Sequence, residues 1–150
     1  MPQEILVVQG PAGSGQTSLL LTLSGRMKLV AGRAKVAGLV IPEQSAAVRR
    51  VTGFVDCAVT DGKQDVRAEF RAVLNAKAKV IFVDHVESLT TPADRAALAS
   101  LLDEVAFSDT GQAVVLGSDD RGSVTDLIPT NYYCYLNLGP VADLARTGPN

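Results

Sequence analysis

Short apolar runs alternate with segments of helical spacing along this chain. Ile5-Leu6-Val7-Val8 is an unbroken apolar run that enters the glycine-rich stretch Gly10-Pro11-Ala12-Gly13-Ser14-Gly15. That pattern predicts a buried strand delivering the chain into a tight turn. Leu19, Leu20, Leu21 and Leu23 then predict a helix from Thr17 to Met27. Residues 34–41 and 51–57 read as two further short strands, with the polar stretch Pro42 to Arg50 as the loop between them. Val66, Phe70, Val73 and Leu74 have helical spacing within residues 63–76. Val80-Ile81-Phe82-Val83 is a second buried strand with Asp84 at its end. Leu98, Leu101, Leu102 and Val105 follow the i, i+3, i+4, i+7 pattern and predict a helix over Pro92–Ala106, with proline suited to its first turn. Ala113–Gly117 reads as a third buried strand and Tyr133–Leu138 as a last one, after a weak helix near Ser123–Ile128 and before a frayed tail from Thr147.

Continuous apolar strands alternating with helices predict an α/β fold: a mostly parallel sheet covered by helices on both faces. No internal repeat or linker breaks the pattern, so residues 1–150 read as one domain. In such folds ligands bind at the carboxyl ends of the strands. The glycine loop, Asp84 and Ser118-Asp119 all fall there.

Composition narrows the partners. Hydrophobic residues make up 47% and charged residues 20%, which excludes wholesale disorder. Net charge is -2 with no cluster of positives, so nothing marks a nucleic-acid surface. The apolar runs are far shorter than the ~20 residues that span a bilayer, which argues against direct membrane insertion. The start of the chain lacks the basic and small-residue signals of a secretory leader, and Cys57 and Cys134 form no disulfide framework. Both points favour a cytoplasmic protein with reduced thiols.

The candidate chemistry lies in the glycine loop. Gly10, Pro11, Ala12, Gly13, Ser14, Gly15, Gln16 and Thr17, continued by Ser18, fit the phosphate-loop pattern G-x-x-x-x-G-K-[ST] at every defined position except the lysine. Glycines let the backbone wrap a phosphate, and the amides at the helix start point toward it. Thr17 would place its hydroxyl on Mg²⁺, and Asp84 would hold the same ion. Gln16 stands at the lysine's place and can donate hydrogen bonds but brings no charge. His85, next to Asp84, is placed where a general base would be wanted, although a strand-end histidine hydrogen-bonded to a neighbour is the simpler reading.

The chain resembles the ATPase domain of an ABC transporter, a P-loop NTPase. ILVVQGPAGSGQTSLLLTLSGRM resembles that family's Walker A strand, loop and helix. AKVAGLVIPEQSAAVRRVTGFVDCA resembles the segment leading into the Q-loop, and DGKQDVRAEFRAVLNAKAKVIFVDH the signature motif, its helix and the Walker B strand. VESLTTPADRAALASLLDEVA resembles the D-loop and its helix, and GQAVVLGSDD the strand ending in the switch histidine. The resemblance runs from Ile5 to Asp120.

The departures fall on the catalytic positions. Gln16 replaces the Walker A lysine, Cys57 the Q-loop glutamine, His85 the catalytic glutamate, Thr91 the D-loop aspartate and Ser118 the switch histidine. The signature reads Thr60-Asp61-Gly62-Lys63-Gln64, with Asp61 at the serine. A carboxylate there would repel the γ-phosphate of an opposite subunit and argues against an ATP-sandwiched homodimer; it would also suit an N-cap for a helix over 62–76. Lys28, Lys35 and Lys63 are the cations that could replace the lysine's charge, and spacing favours none of them. The resemblance further implies that strands carrying the adenine-stacking aromatic would precede residue 1, and that a helical subdomain is missing between Cys57 and Thr60.

What the resemblance implies is therefore a degenerate ATP-binding domain. It would bind ATP or ADP with Mg²⁺ weakly or not at all, hydrolyse poorly, and serve a regulatory or assembly role beside a membrane permease or another ATPase subunit. An active ATPase using His85 as base, and an inert scaffold, are the competing expectations.

Overall fold

The computed structural model describes residues 5–11, 13–58, 65–107, 111–119, 127–128 and 134–138, with residues 134–137 described as backbone only. Strands β1 (Ile5–Gln9), β4 (Thr52–Asp56), β5 (Val80–Asp84), β6 (Ala113–Ser118) and β7 (Cys134–Asn137) form one sheet in the order β4-β5-β6-β1-β7. Every pairing in it is parallel. β6 thus lies between the strand that feeds the glycine loop and the strand that ends in Asp84. Helices α1 (Gln16–Leu23), α3 (Val66–Asn75) and α4 (Pro92–Phe107) are the main crossovers, and α2 (Ser45–Val51) is a short one.

Both faces of the sheet are buried because each strand is apolar at successive positions. Alternate residues take opposite sides. Ile5, Val7, Ile81, Val83, Val114 and Leu116 join the larger core, under Phe70 of α3 and Leu98, Leu101, Leu102 and Val105 of α4. Val8, Phe82 and Val115 face the other way onto Leu20 of α1, with Leu6, Leu19, Leu23 and Phe54 around them. The α/β class, the mostly parallel sheet and the helices on both faces are as the sequence leads one to expect.

The structure corrects several element boundaries. The first helix stops at Leu23, short of Met27, because Gly25 takes the left-handed conformation (φ 76°) just past the Ser24 cap. Residues 34–41 are two strands rather than one: β2 (Ala34–Val36) and β3 (Leu39–Ile41) pair antiparallel around Ala37 and Gly38, whose positive φ values (51° and 79°) make a tight hairpin turn. Within the stretch read as loop, Ser45–Val51 is helical. Its Val48 is fully buried, and the Thr52 hydroxyl donates to Val48 O at 2.9 Å. The helix after β4 begins at Val66 rather than at 62, and its cap is Asp65, whose carboxylate accepts from Arg67 and Ala68 N–H, where the sequence suggests Asp61. The signature segment 60–64, the bulk of the weak helix near Ser123–Ile128 and the tail from Thr147 lie outside the described residues, as does Ala12 of the loop.

Candidate phosphate-loop site

The loop from Gly10 to Gly15 leaves β1 at the carboxyl edge of the sheet. Gly10 N–H donates to Ser118 O (3.3 Å) and Ser14 N–H to Pro11 O (3.1 Å), which closes the turn. A side chain at position 10 would collide with Leu138 O, only 2.5 Å from where its Cβ would stand. Gly13 and Gly15 have φ values of 84° and 93°, a region open to glycine at little steric cost. Gly15 starts α1 with no side-chain cap, so the first amides of the helix are left for another acceptor. A cavity of about 550 Å³ lies in front of them, lined by the loop, Gln16, Thr17, Ser18, His85, Glu87 and Asp119. A larger cavity of about 730 Å³, flanked by Lys77, Lys79 and Phe107, sits at the opposite, amino end of the strands.

The candidate side chains meet behind the loop. Asp84 is fully buried at the end of β5. Its Oδ1 accepts from the Gln16 amide (3.2 Å) and from His85 N–H (2.8 Å). Its Oδ2 has no hydrogen-bond partner among the described residues, though His85 Nδ1 lies 3.4 Å away. Gly117 on β6 makes this arrangement possible: a Cβ there would stand 2.7 Å from Asp84 Oδ1 and 3.2 Å from Gln16 Nε2. His85 adopts φ 57° and so turns the chain sharply out of the strand. Its Nδ1 donates to Asp56 Oδ1 (2.9 Å), which leaves Nε2 at 3.3 Å from Thr17 Oγ1. Burial pulls the His85 pKa down, but the hydrogen bond to Asp56 and the charges of Asp84, Asp56 and Glu87 outweigh it, and the net direction is up.

The structure brings the candidate residues Gln16, Thr17, Asp84 and His85 together. It adds Asp56 and Glu87, which sequence reasoning missed. Asp56 ends β4 as Asp84 ends β5, and the two are register partners; an acid closing an apolar strand was the available signal. Glu87 Oε1 accepts from Asp119 N–H (2.9 Å) and fixes the far wall. Other departures from the resembled pattern have structural roles. Thr91 Oγ1 accepts from Asp94 N–H (3.1 Å) at the start of α4. Ser118 is buried and donates to Asp119 O (3.2 Å). Cys57 is buried, and burial first, then Asp56 and Asp84, push its thiol up to about 12, so it is no reactive nucleophile. Lys28 and Lys35 are exposed and do not line the cavity, and Lys63 lies outside the described residues.

Two observations bear on a Mg²⁺-bound nucleotide. The orphaned Asp84 Oδ2 and the Thr17 hydroxyl are hard oxygen donors of the kind that ion takes, so the donor chemistry fits. Among the described residues, the cavity lining contains no lysine or arginine, and it carries the carboxylates of Glu87 and Asp119.

Residues 6–129 match the family model described as "ATPase family associated with various cellular activities (AAA)". The chain belongs to that family. It is also 41% identical over 58 residues to the taurine import ATP-binding protein TauB of Pseudomonas fluorescens; that stretch is 39% of this chain and 21% of the relative. The chain thus spans about a fifth of the length of that curated relative. Among solved structures it resembles CbiO1 from Clostridium perfringens, part of the ABC transporter complex CbiONQ, with TM-score 0.61 at 15% identity over 79% of this chain and 68% of that one. It also resembles the ATP-binding cassette MJ0796 in a dimeric post-hydrolysis state bound to ADP and Pi, with TM-score 0.62 at 15% identity over 90% and 83%. The fold is that of an ABC-type ATP-binding domain. Among the described residues no helix is long and apolar enough to cross a membrane.

Proposed function

We propose that this chain is an ABC-type ATP-binding domain that holds ATP or ADP weakly and does not turn ATP over efficiently. In this reading residues 10–18 cradle the phosphates, with Thr17 and Asp84 the ligands of Mg²⁺. The role is regulatory or assembly-related, beside a membrane permease or another ATPase subunit on the cytoplasmic side. The observation that carries it is the Gln16 amide donating to Asp84 Oδ1 at 3.2 Å, at the position where the resembled family has a lysine. A neutral donor turned toward the buried acid gives the phosphates no charge. A hydrogen bond to a charged group contributes roughly 1.5–3 kcal/mol, so nucleotide affinity should fall about ten- to a hundredfold relative to lysine. The competing reading, a working ATPase, draws on His85, which lines the cavity and whose ring is oriented by Asp56.

A thermal-shift titration with ATP and Mg²⁺ tests the proposal. The wild-type chain should be stabilised only toward millimolar nucleotide, since a ligand that binds the native state must raise stability by mass action. Gln16→Lys should reach the same shift at roughly ten- to a hundredfold lower concentration. No stabilisation of either protein at millimolar ATP would sink the proposal in favour of an inert scaffold. ATP turnover that disappears in Asp84→Ala would establish the working ATPase instead.

A further inference from the structure

Three oxygen-bearing side chains from separate elements converge behind the glycine loop: Thr17 on α1, Asp56 at the end of β4 and Asp84 at the end of β5. One imidazole contacts all of them. His85 Nε2 lies 3.3 Å from Thr17 Oγ1, and Nδ1 lies 2.9 Å from Asp56 Oδ1 and 3.4 Å from Asp84 Oδ2. The ring is not there by chance of rotamer alone. Its residue sits in the left-handed conformation at φ 57°, its backbone N–H is held by Asp84 Oδ1, and Asp56 anchors the ring from the far side. Asp56 is held in turn, because its Oδ1 also accepts from Ala58 N–H at 2.9 Å.

We infer that His85 is a specificity-determining residue that, in the nucleotide-free chain, takes the place of the divalent cation between Thr17 and Asp84, so that a cation enters there only when the ring is displaced. Mg²⁺ needs oxygen ligands at about 2.0–2.1 Å in near-octahedral array and gives up its waters reluctantly. It cannot share Thr17 Oγ1 and Asp84 Oδ2 with a ring that already touches both. Asp84 is fully buried, with the Gln16 amide on its Oδ1 and the His85 ring beside its Oδ2. The inference rests on the proposed reading of Thr17 and Asp84 as cation ligands, but not on nucleotide binding.

The test uses Mn²⁺ alone as the probe, with free ion followed by electron paramagnetic resonance and no nucleotide present. His85→Gly removes the ring, and glycine accepts the positive φ of this position without strain; far-ultraviolet circular dichroism checks that the variant is folded. His85→Gly should bind Mn²⁺ at least tenfold more tightly than the wild-type chain, and adding Asp84→Asn should abolish the gain. Asp56→Ala, which unties the ring but leaves it present, should give a smaller gain. Equal binding by wild type and His85→Gly, detectable or not, overturns the inference. So does weaker binding by His85→Gly, which would make His85 a ligand. Failure here leaves the nucleotide titration untouched, so the two readings fail separately.

Discussion

Cys57 falls where the resemblance to ABC-type domains would put the Q-loop glutamine, and its surroundings keep its thiol unreactive. It follows Asp56 at the end of β4, and its backbone N–H donates to Asp84 O at 3.0 Å. Burial and the neighbouring acids hold its thiol pKa at about 12, against an ordinary value of 9.0. The raised value means that the folded chain keeps this proton. The resulting stabilisation is complete below pH 9.0 and is lost as pH rises from there toward about 12. Only the thiolate reacts with alkylating reagents. At pH 8, labelling of Cys57 by iodoacetamide should therefore be at least about a hundredfold slower in the folded chain than after denaturation. Peptide mapping separates it from Cys134. Equal labelling rates would mean that the site is open to solvent and that Asp84 is not sealed as described. What the sequence did not show is the pairing of Asp56 with His85. Its partner is 29 positions away, and only the parallel register of β4 and β5 brings the two acids to one edge.

Among the elements, legibility followed burial. Ile5–Gln9, Val80–Asp84 and Ala113–Ser118 were legible because strands covered on both faces must be apolar at consecutive positions. Helix α4 was legible because Leu98, Leu101, Leu102 and Val105 mark its buried stripe. Helix α2 was not: in seven residues only Val48 is buried, so there is no stripe to read. The hairpin turn at Ala37-Gly38 carries one conventional signal, the glycine, and one misleading one, an alanine with positive φ. Helix α3 was found with its start misplaced, because two acids, Asp61 and Asp65, precede the apolar positions and either could cap. The Asp65 carboxylate accepts from Arg67 N–H at 3.0 Å and Ala68 N–H at 3.4 Å. Asp65→Ala should lower the stability of the folded chain by ~1 kcal/mol in a urea unfolding curve, within the 0.5–2 kcal/mol range of such caps. Asp61→Ala should leave the midpoint unchanged. A reversed pattern would return the cap to Asp61.

Across the whole molecule, binding and turnover make different demands. Binding is local: the glycine loop, the uncapped start of α1 and the one side chain at position 16 are contiguous and lie on one edge of the sheet. Turnover draws on groups from several strands, and these are spread over the molecule. His85, in place of the resembled family's glutamate, is engaged with Thr17 and Asp56. Ser118, in place of the switch histidine, is buried and bonded to the neighbouring carbonyl. Thr91, in place of the D-loop aspartate, is occupied at the start of α4. His85 is tied to α1 and β4, while Ser118 and Thr91 are bonded to neighbours in the sequence, so no single substitution frees the set. Electrostatic stabilisation of developing charge commonly supplies the largest part of catalysis and needs preorganised donors. A lysine at position 16 would supply one of them. It would also free Asp84 Oδ1 of the Gln16 amide, which should ease nucleotide binding further. Gln16→Lys should then gain nucleotide-dependent stabilisation while its phosphate release with ATP and Mg²⁺ stays at the level of a buffer control. Phosphate release that rises with binding in this single variant would show instead that lysine alone was limiting, and that His85 already serves as a competent base.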